Sequence, residues 1–136
     1  MKIVYTNQIP KAGELYNLYN FDGWDDFLKL TKEELHQAMA QSWLVISAYH
    51  EDRLIGTGRI ISDGIINGYL CGLIVQPDYR HKGIGSKIVR MLVEESQKAN
   101  VHIELFSEKN NAPFYEGLGF KEFAVGLKQM NANKVD

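Results

Sequence analysis

The chain has 136 residues, which suits one domain (1–136) able to bury a core of its own. Hydrophobic residues at 45% and charged residues at 24% are ordinary for a soluble globular protein and exclude a disordered or fibrous one. The 15 Lys and Arg against 17 Asp and Glu leave a net charge of −2, which speaks against a nucleic-acid footprint or a polybasic membrane anchor. Cys71 stands alone, so no intrachain disulfide can form and a reducing compartment is compatible. The opening MKIVYTNQIPK has no long apolar core, and no run approaches the ~20 apolar residues that span a bilayer. A cytoplasmic location is expected.

In chain order, Lys2 to Asn7 can form a short strand, stopped by Pro10. Residues 11–20 place Ala12, Leu15, Leu18 and Tyr19 at helical spacing. Phe21 to Phe27, FDGWDDF, is an aromatic and acidic connector. Thr31 and Glu34 match a capping box, which predicts a second helix burying Leu35, Ala38 and Met39. Trp43 to His50 and Leu54 to Ile61 read as strands joined by a hairpin turn at Glu51-Asp52-Arg53. Gly56 and Gly58 point to close packing or a bulge in the second of them. After the turn signal Ser62-Asp63-Gly64, residues 65–75 form a further strand.

That strand leads into the stretch that organises the chain, YLCGLIVQPDYRHKGIGSKIVRMLVEESQK over residues 69–98. Pro77 cannot donate to a ladder, so the strand ends by Gln76. From Ile84 the period changes: Ile84, Ile88, Met91 and Leu92 make one apolar stripe, opposite Lys87, Arg90, Glu94 and Gln97. A helix therefore starts inside RHKGIGSK. Its first N–H groups lack internal partners and sit at the positive end of the macrodipole. Gly83 and Gly85 would let an anion approach the backbone, with Arg80, His81 and Lys82 adding charge. By itself a Gly-x-Gly beside basic residues marks only a turn. The G-x-x-x-x-G-K-[ST] loop is absent, and G-x-G-x-x-G fails at Ile88. Beyond the helix, Val101 to Phe106 reads as a strand and Asn110 to Gly117 as a turn or two of helix, ended by Gly117 or Gly119. Phe120 to Val125 and Leu127 to Met130 look like final strands, and NANKVD should fray.

Arg80-His81-Lys82-Gly83-Ile84-Gly85 has the R-x-x-G-x-G form, and Pro113-Phe114-Tyr115-Glu116-Gly117-Leu118-Gly119-Phe120 is similar to an F-Y-x-x-L-G-F segment. Two motifs in this order, roughly 30 residues apart, are far more specific than either alone. Together they resemble the GNAT superfamily of acyl-CoA-dependent N-acetyltransferases, most clearly from Leu54 to Phe120. The order of elements alone supports a layered α/β or α+β domain. The resemblance implies more: a central six- or seven-stranded mixed, largely antiparallel twisted sheet with about four helices. It also implies a V-shaped splay, between the strand ending at Val75 and Val101–Phe106, that admits acetyl-CoA.

The same resemblance implies roles. Arg80, His81, Lys82, Gly83, Ile84, Gly85 and Ser86 would hold the CoA pyrophosphate. Leu73, Ile74 and Val75 would offer backbone groups to the pantetheine arm, with Leu73 or Ile74 at a bulge donating to the thioester carbonyl. Tyr115 matches the tyrosine that protonates the departing thiolate in arylalkylamine N-acetyltransferases, although an aromatic there is otherwise a core residue. The familiar N-x-x-A is compressed to Asn110-Asn111-Ala112, so the CoA contact is open between Asn110 and Asn111. The histidine pair of that branch is replaced by Tyr69 and Cys71, neither a natural base at neutral pH. Glu104, acting through water, is the candidate base, and water-mediated proton loss with no single base is the alternative. Cys71 in an apolar strand suits burial rather than nucleophilic attack.

The acceptor is expected beside Phe21, Trp24 and Asp25, with Tyr69 and Cys71 below. Asp22, Asp25 and Asp26 would attract a cationic amine, or else form only an acidic surface loop. No metal is expected near the turn, and the oligomeric state is open between monomer and homodimer. The reading is acetyl transfer from acetyl-CoA to a primary amine of a small molecule, directly in a ternary complex. The alternatives are a protein or peptide amine as acceptor, a non-catalytic acyl-CoA-binding module, and a nucleotide-binding regulatory domain.

Overall fold

The computed structural model describes residues 1–23 and 29–130. Five strands form one sheet in sequential order: β1 (Val4–Thr6), β2 (Leu44–His50), β3 (Arg53–Ser62), β4 (Asn67–Val75) and β5 (His102–Glu104). The helices among the described residues are α1 (Ala12–Asn20), α2 (Lys32–Ala40), α3 (Ile84–Lys98) and α4 (Ala112–Glu116). The first four strands pair antiparallel and β4 pairs β5 in parallel, which makes the sheet mixed and largely antiparallel as expected.

Local chemistry accounts for most element ends. Glu51 and Asp52 both have positive φ (50° and 64°), the geometry a two-residue hairpin between β2 and β3 requires. The capping box of α2 forms: Glu34 N–H donates to Thr31 Oγ1 at 3.1 Å and Thr31 N–H to Glu34 Oε1 at 2.9 Å. At the end of α3, Asn100 takes φ 59° and Val101 N–H reaches back to Ser96 carbonyl at 2.9 Å. This αL turn redirects the chain into β5.

The two faces of the sheet are packed separately. On one, α3 buries Ile84, Ile88, Val89 and Leu92 against Ile46, Ile55, Ile60 and Leu70. Each such side chain contributes about 1.5–3 kcal/mol on burial. Gly56 and Gly58 face this helix: a Cβ at either would lie 3.2 or 3.1 Å from an atom of Ile88, so their small size sets the helix close to β3. On the other face α1 and α2 bury Leu15, Leu18, Tyr19, Leu35 and Met39 against Val45, Leu54 and Ile74.

Two expectations need correction. Among the described residues the sheet has five strands rather than six or seven. Phe120–Val125 and Leu127–Met130 pair with no strand among the described residues; residues 121–130 are exposed, with Phe123 at 67% and Leu127 at 90%. Alternating apolar residues become a strand only beside an edge that offers a ladder, and β5 is three residues long rather than the six of Val101–Phe106. At the end of α4, Gly117 keeps a right-handed φ of −64° while Gly119 supplies the positive φ, 96°.

Candidate active site

The register between β3 and β4 slips at one point. Thr57 faces Ile74 and Arg59 faces Cys71, so Gly72 and Leu73 of β4 stand against Gly58 alone. This is a bulge, with Gly72 at φ 66°. Glycine is required there twice over, since a Cβ would also lie 3.0 Å from Tyr19 Oη. The extra residue reverses the alternation of side chains. Leu70 packs toward α3, while Ile74, an even number of residues on, packs with α1 and α2.

Beside the bulge the sheet parts. β5 pairs β4 only over Asn67↔His102, Gly68↔Ile103 and Tyr69↔Glu104. From Leu70 to Val75 the edge of β4 turned away from β3 has no strand neighbour among the described residues, which leaves its backbone groups, the Val75 carbonyl apart, without a ladder partner. The expected opening between these two strands is therefore present. Leu73, Ile74 and Val75 lie along it.

The chain then enters the helix start. Gln76 N–H donates to Ile55 carbonyl at 2.8 Å, and its side-chain Oε1 accepts from Asp78 N–H at 2.8 Å. His50 Nδ1 and Tyr79 Oη are 2.7 Å apart, tying this turn to the end of β2. His81 (φ 63°) and Gly83 (φ 82°) both take left-handed conformations, and α3 begins at Ile84 with no side chain capping it. Around Gly83 a Cβ would meet nothing within 4 Å, so the turn presents open space at the helix N-terminus. Gly85 faces the side chains of Val75, Phe114 and Leu73, which brings α4 up to the same opening. His81, Lys82 and Ser86 surround the turn.

Arg80 is held differently from a free basic side chain. Its Nε donates to Val75 carbonyl at 2.8 Å and its Nη2 to Asp22 Oδ1 at 2.9 Å. Asp22, expected to attract an amine, is thus committed to Arg80. Phe21 follows α1 and is 49% exposed. Trp24, Asp25 and Asp26 lie outside the described residues.

Tyr115 is half-buried in α4, packed edge-on against Phe114 (4.9 Å between ring centres) and Phe120 (6.0 Å). No hydrogen bond from a described residue occupies its hydroxyl, and burial raises its pKa, so it stays protonated. Asn110 and Asn111 are both exposed in the 3₁₀ turn before α4. Tyr69, Cys71 and Glu104 share the face covered by α1. Glu104 Oε1 accepts from Asn67 Nδ2 at 3.4 Å, and its Oε2 lies 3.7 Å from His102 Nε2. Burial pushes the Cys71 thiol up, away from a reactive thiolate. Sequence reasoning missed Arg59, which the bulge places beside Cys71 and Tyr19; a charge in the middle of the run Leu54–Ile61, which holds no other, was the available signal. A separate hollow lined by Trp43, Leu44, Glu95, Lys98 and Ala99 lies at the far end of α3 and carries none of these groups.

A sheet that parts beside an uncapped, glycine-turned helix start defines a mixed α+β fold with an opening suited to an extended, anionic ligand. A family model described as an acetyltransferase (GNAT) domain matches residues 14–133, and the chain belongs to the GNAT acetyltransferase family. It is 29% identical over 137 aligned residues to an uncharacterized N-acetyltransferase, ycf52, of Porphyra purpurea, covering 96% of this chain and 77% of that one. A GNAT-family acetyltransferase structure from Streptococcus pneumoniae superposes with TM-score 0.81 at 28% identity, covering 96% of this chain and 99% of the other. The fold is also that of PaiA N-acetyltransferase from Thermoplasma acidophilum, solved in complex with coenzyme A (TM-score 0.73, 21% identity, 89% and 91% covered). Among the described residues no helix is long and apolar enough to cross a membrane.

Proposed function

We propose that the protein transfers an acetyl group from acetyl-CoA to a primary amine of a small molecule, directly and in a ternary complex. The observation that carries this reading is the edge of β4 that no described strand pairs from Leu70 to Val75, leading straight to the open turn at Gly83. The residues present fit acetyl-CoA. The turn from Arg80 to Ser86 offers backbone N–H groups and charge for a pyrophosphate, and the β4 edge offers a ladder for the pantetheine arm. Arg80, already bonded to Val75 carbonyl, braces the turn against the strand. Asn110 would meet the arm from the other side. When bound, acetyl-CoA supplies the activated acyl group.

The chain's own groups handle orientation and protons. With acetyl-CoA bound, the bulge at Gly72 and Leu73 would turn a backbone N–H of Leu73 or Ile74 to the thioester carbonyl, where it would stabilise developing negative charge. Glu104, on the acceptor face, takes the ammonium proton through water, leaving a neutral amine to attack. Tyr115 Oη donates the proton that the sulfur needs as the C–S bond breaks. A thiolate in the same half-dry cleft is itself desolvated, which raises its proton affinity toward that of the phenol. Cys71 takes no covalent part. The lone thiol suits a reducing, cytoplasmic compartment.

The test is free-thiol release from acetyl-CoA across a panel of small amines and of peptides with free amino groups. Turnover with a small amine and not with peptides is expected. Tight acetyl-CoA binding with no release from any acceptor would instead favour a non-catalytic binding module.

A further inference from the structure

On the acceptor face one charge is unaccounted for. Arg59 stands on β3 opposite Cys71, against the bulge, and a Cβ on Gly72 would lie 3.5 Å from Arg59 Nε. Its Nη1 donates to Ser42 Oγ at 3.2 Å, while its Nε is buried with no hydrogen-bond partner among the described residues. Among the described residues the groups around it are neutral, Tyr19, which hydrogen-bonds the guanidinium, included. Burial drives Tyr19 up to about 12, although the guanidinium pulls it partly back, and burial likewise raises Cys71. Both keep their protons at neutral pH, and Ser42 has no charge to give. Asp22, whose charge also reaches Tyr19, is bonded to Arg80 instead. A partly buried guanidinium without an anion is costly, and its planar fork matches a carboxylate.

We propose that Arg59 binds a carboxylate of the acceptor, so that the preferred acceptors are amines with a carboxylate close to the amino group, the amino-acid class, rather than simple cationic amines. The inference rests on the acetyl-transfer reading above and narrows its substrate. The Arg59–Cys71 rung and the Tyr69–Glu104 rung are two residues apart along β4, about 7 Å, and Arg59 and Glu104 stand on the strands either side of β4, about 10 Å apart across the sheet. Their backbones are thus roughly 12 Å apart, a gap that the long Arg59 side chain and the water serving Glu104 narrow enough for one small molecule to meet Arg59 at its carboxylate and present its amine toward Glu104. Tyr19, packed at Gly72, fixes the guanidinium from the side of α1.

The test is calorimetry on the CoA-loaded protein with the common amino acids and with the amines left by removing their carboxylates, such as phenylalanine against 2-phenylethylamine. The best carboxylated ligand should bind at least about tenfold tighter than the best decarboxylated one, as loss of a charged hydrogen bond implies. Arg59→Met should remove that preference, Arg59→Lys should restore part of it, and both should bind CoA like the parent, which also reports that they fold. Equal affinity within the pairs, or no binding by any carboxylated ligand, overturns the proposal. So does a preference that survives Arg59→Met. If Asp25 or Asp26 is the partner of Arg59, the pairs bind equally and Asp25→Asn with Asp26→Asn creates the preference, which also overturns it. Thiol release is read separately. Carboxylate preference without turnover refutes the transferase reading alone, and turnover without preference refutes only this one.

Discussion

Gly83→Ala separates what the turn costs the fold from what it gives the ligand. Gly83 has φ 82°, and an added Cβ would meet nothing within 4 Å, so the substitution adds backbone strain and no clash. An L-residue held in that region costs about 1–2 kcal/mol. For a chain of this size that lowers the melting temperature by roughly 3–8 °C. The methyl group would, however, stand in the space through which a phosphate reaches the helix N-terminus. Losing one charge-assisted backbone contact costs about 1.5–3 kcal/mol, or roughly 10- to 100-fold in Kd. Gly119→Ala is the matched control: φ is 96° and again nothing lies within 4 Å, but the residue is outside the turn. Both variants should melt earlier by similar amounts, and by calorimetry only Gly83→Ala should lose acetyl-CoA affinity. Normal acetyl-CoA affinity in a folded Gly83→Ala protein, or an equal loss in Gly119→Ala, would refute the assignment of the pyrophosphate to this turn.

Tyr115→Phe keeps the ring packed against Phe114 and Phe120, so acetyl-CoA Kd should change by only a few-fold while kcat falls about 10²–10⁴-fold, the range of a general acid. An unchanged kcat, measured where chemistry limits the rate, leaves Tyr115 as a packing residue. Asp22→Asn breaks an ion pair whose side chains are 32% and 42% exposed, worth no more than about 1 kcal/mol, and should leave the amine KM unchanged because its carboxylate is held by Arg80. A clear rise in KM would return Asp22 to the acceptor. Tyr19 has its pKa raised from 10.0 to about 12 in the fold, so its contribution is complete below pH 10 and disappears as pH rises through 12. Denaturant unfolding should show Tyr19→Phe losing less stability than the parent between pH 9 and 11, and parallel losses would contradict that assignment.

The parts of the fold legible in the sequence are those specified locally. Thr31 with Glu34 marks a helix start whatever surrounds it, and the change of period at Ile84 places the start of α3 to the residue. The bulge was visible only through resemblance; its physical signal, Gly72 between Cys71 and Leu73, needs the register against β3 to be read. Phe123, Val125 and Leu127 misled for the opposite reason, since alternation is local but a ladder partner is not. Asp22 looked like one of three equivalent acids, and nothing in FDGWDDF shows that Arg80, 58 residues on, would hold it. Arg59 is not legible from the sequence because its surroundings are set by α1, β4 and Ser42, all distant in sequence.

The most direct measurement is an acetyl-CoA titration followed by backbone amide resonances. The largest shifts should fall on Leu73 to Val75 and on Gly83 to Ser86, with smaller ones around Asn110 to Tyr115. Shifts centred on Trp43, Leu44, Glu95 and Lys98 at the far end of α3, with the β4 edge and the Gly83 turn unmoved, would contradict the central claim that the parting of β4 from β5 is where acetyl-CoA binds.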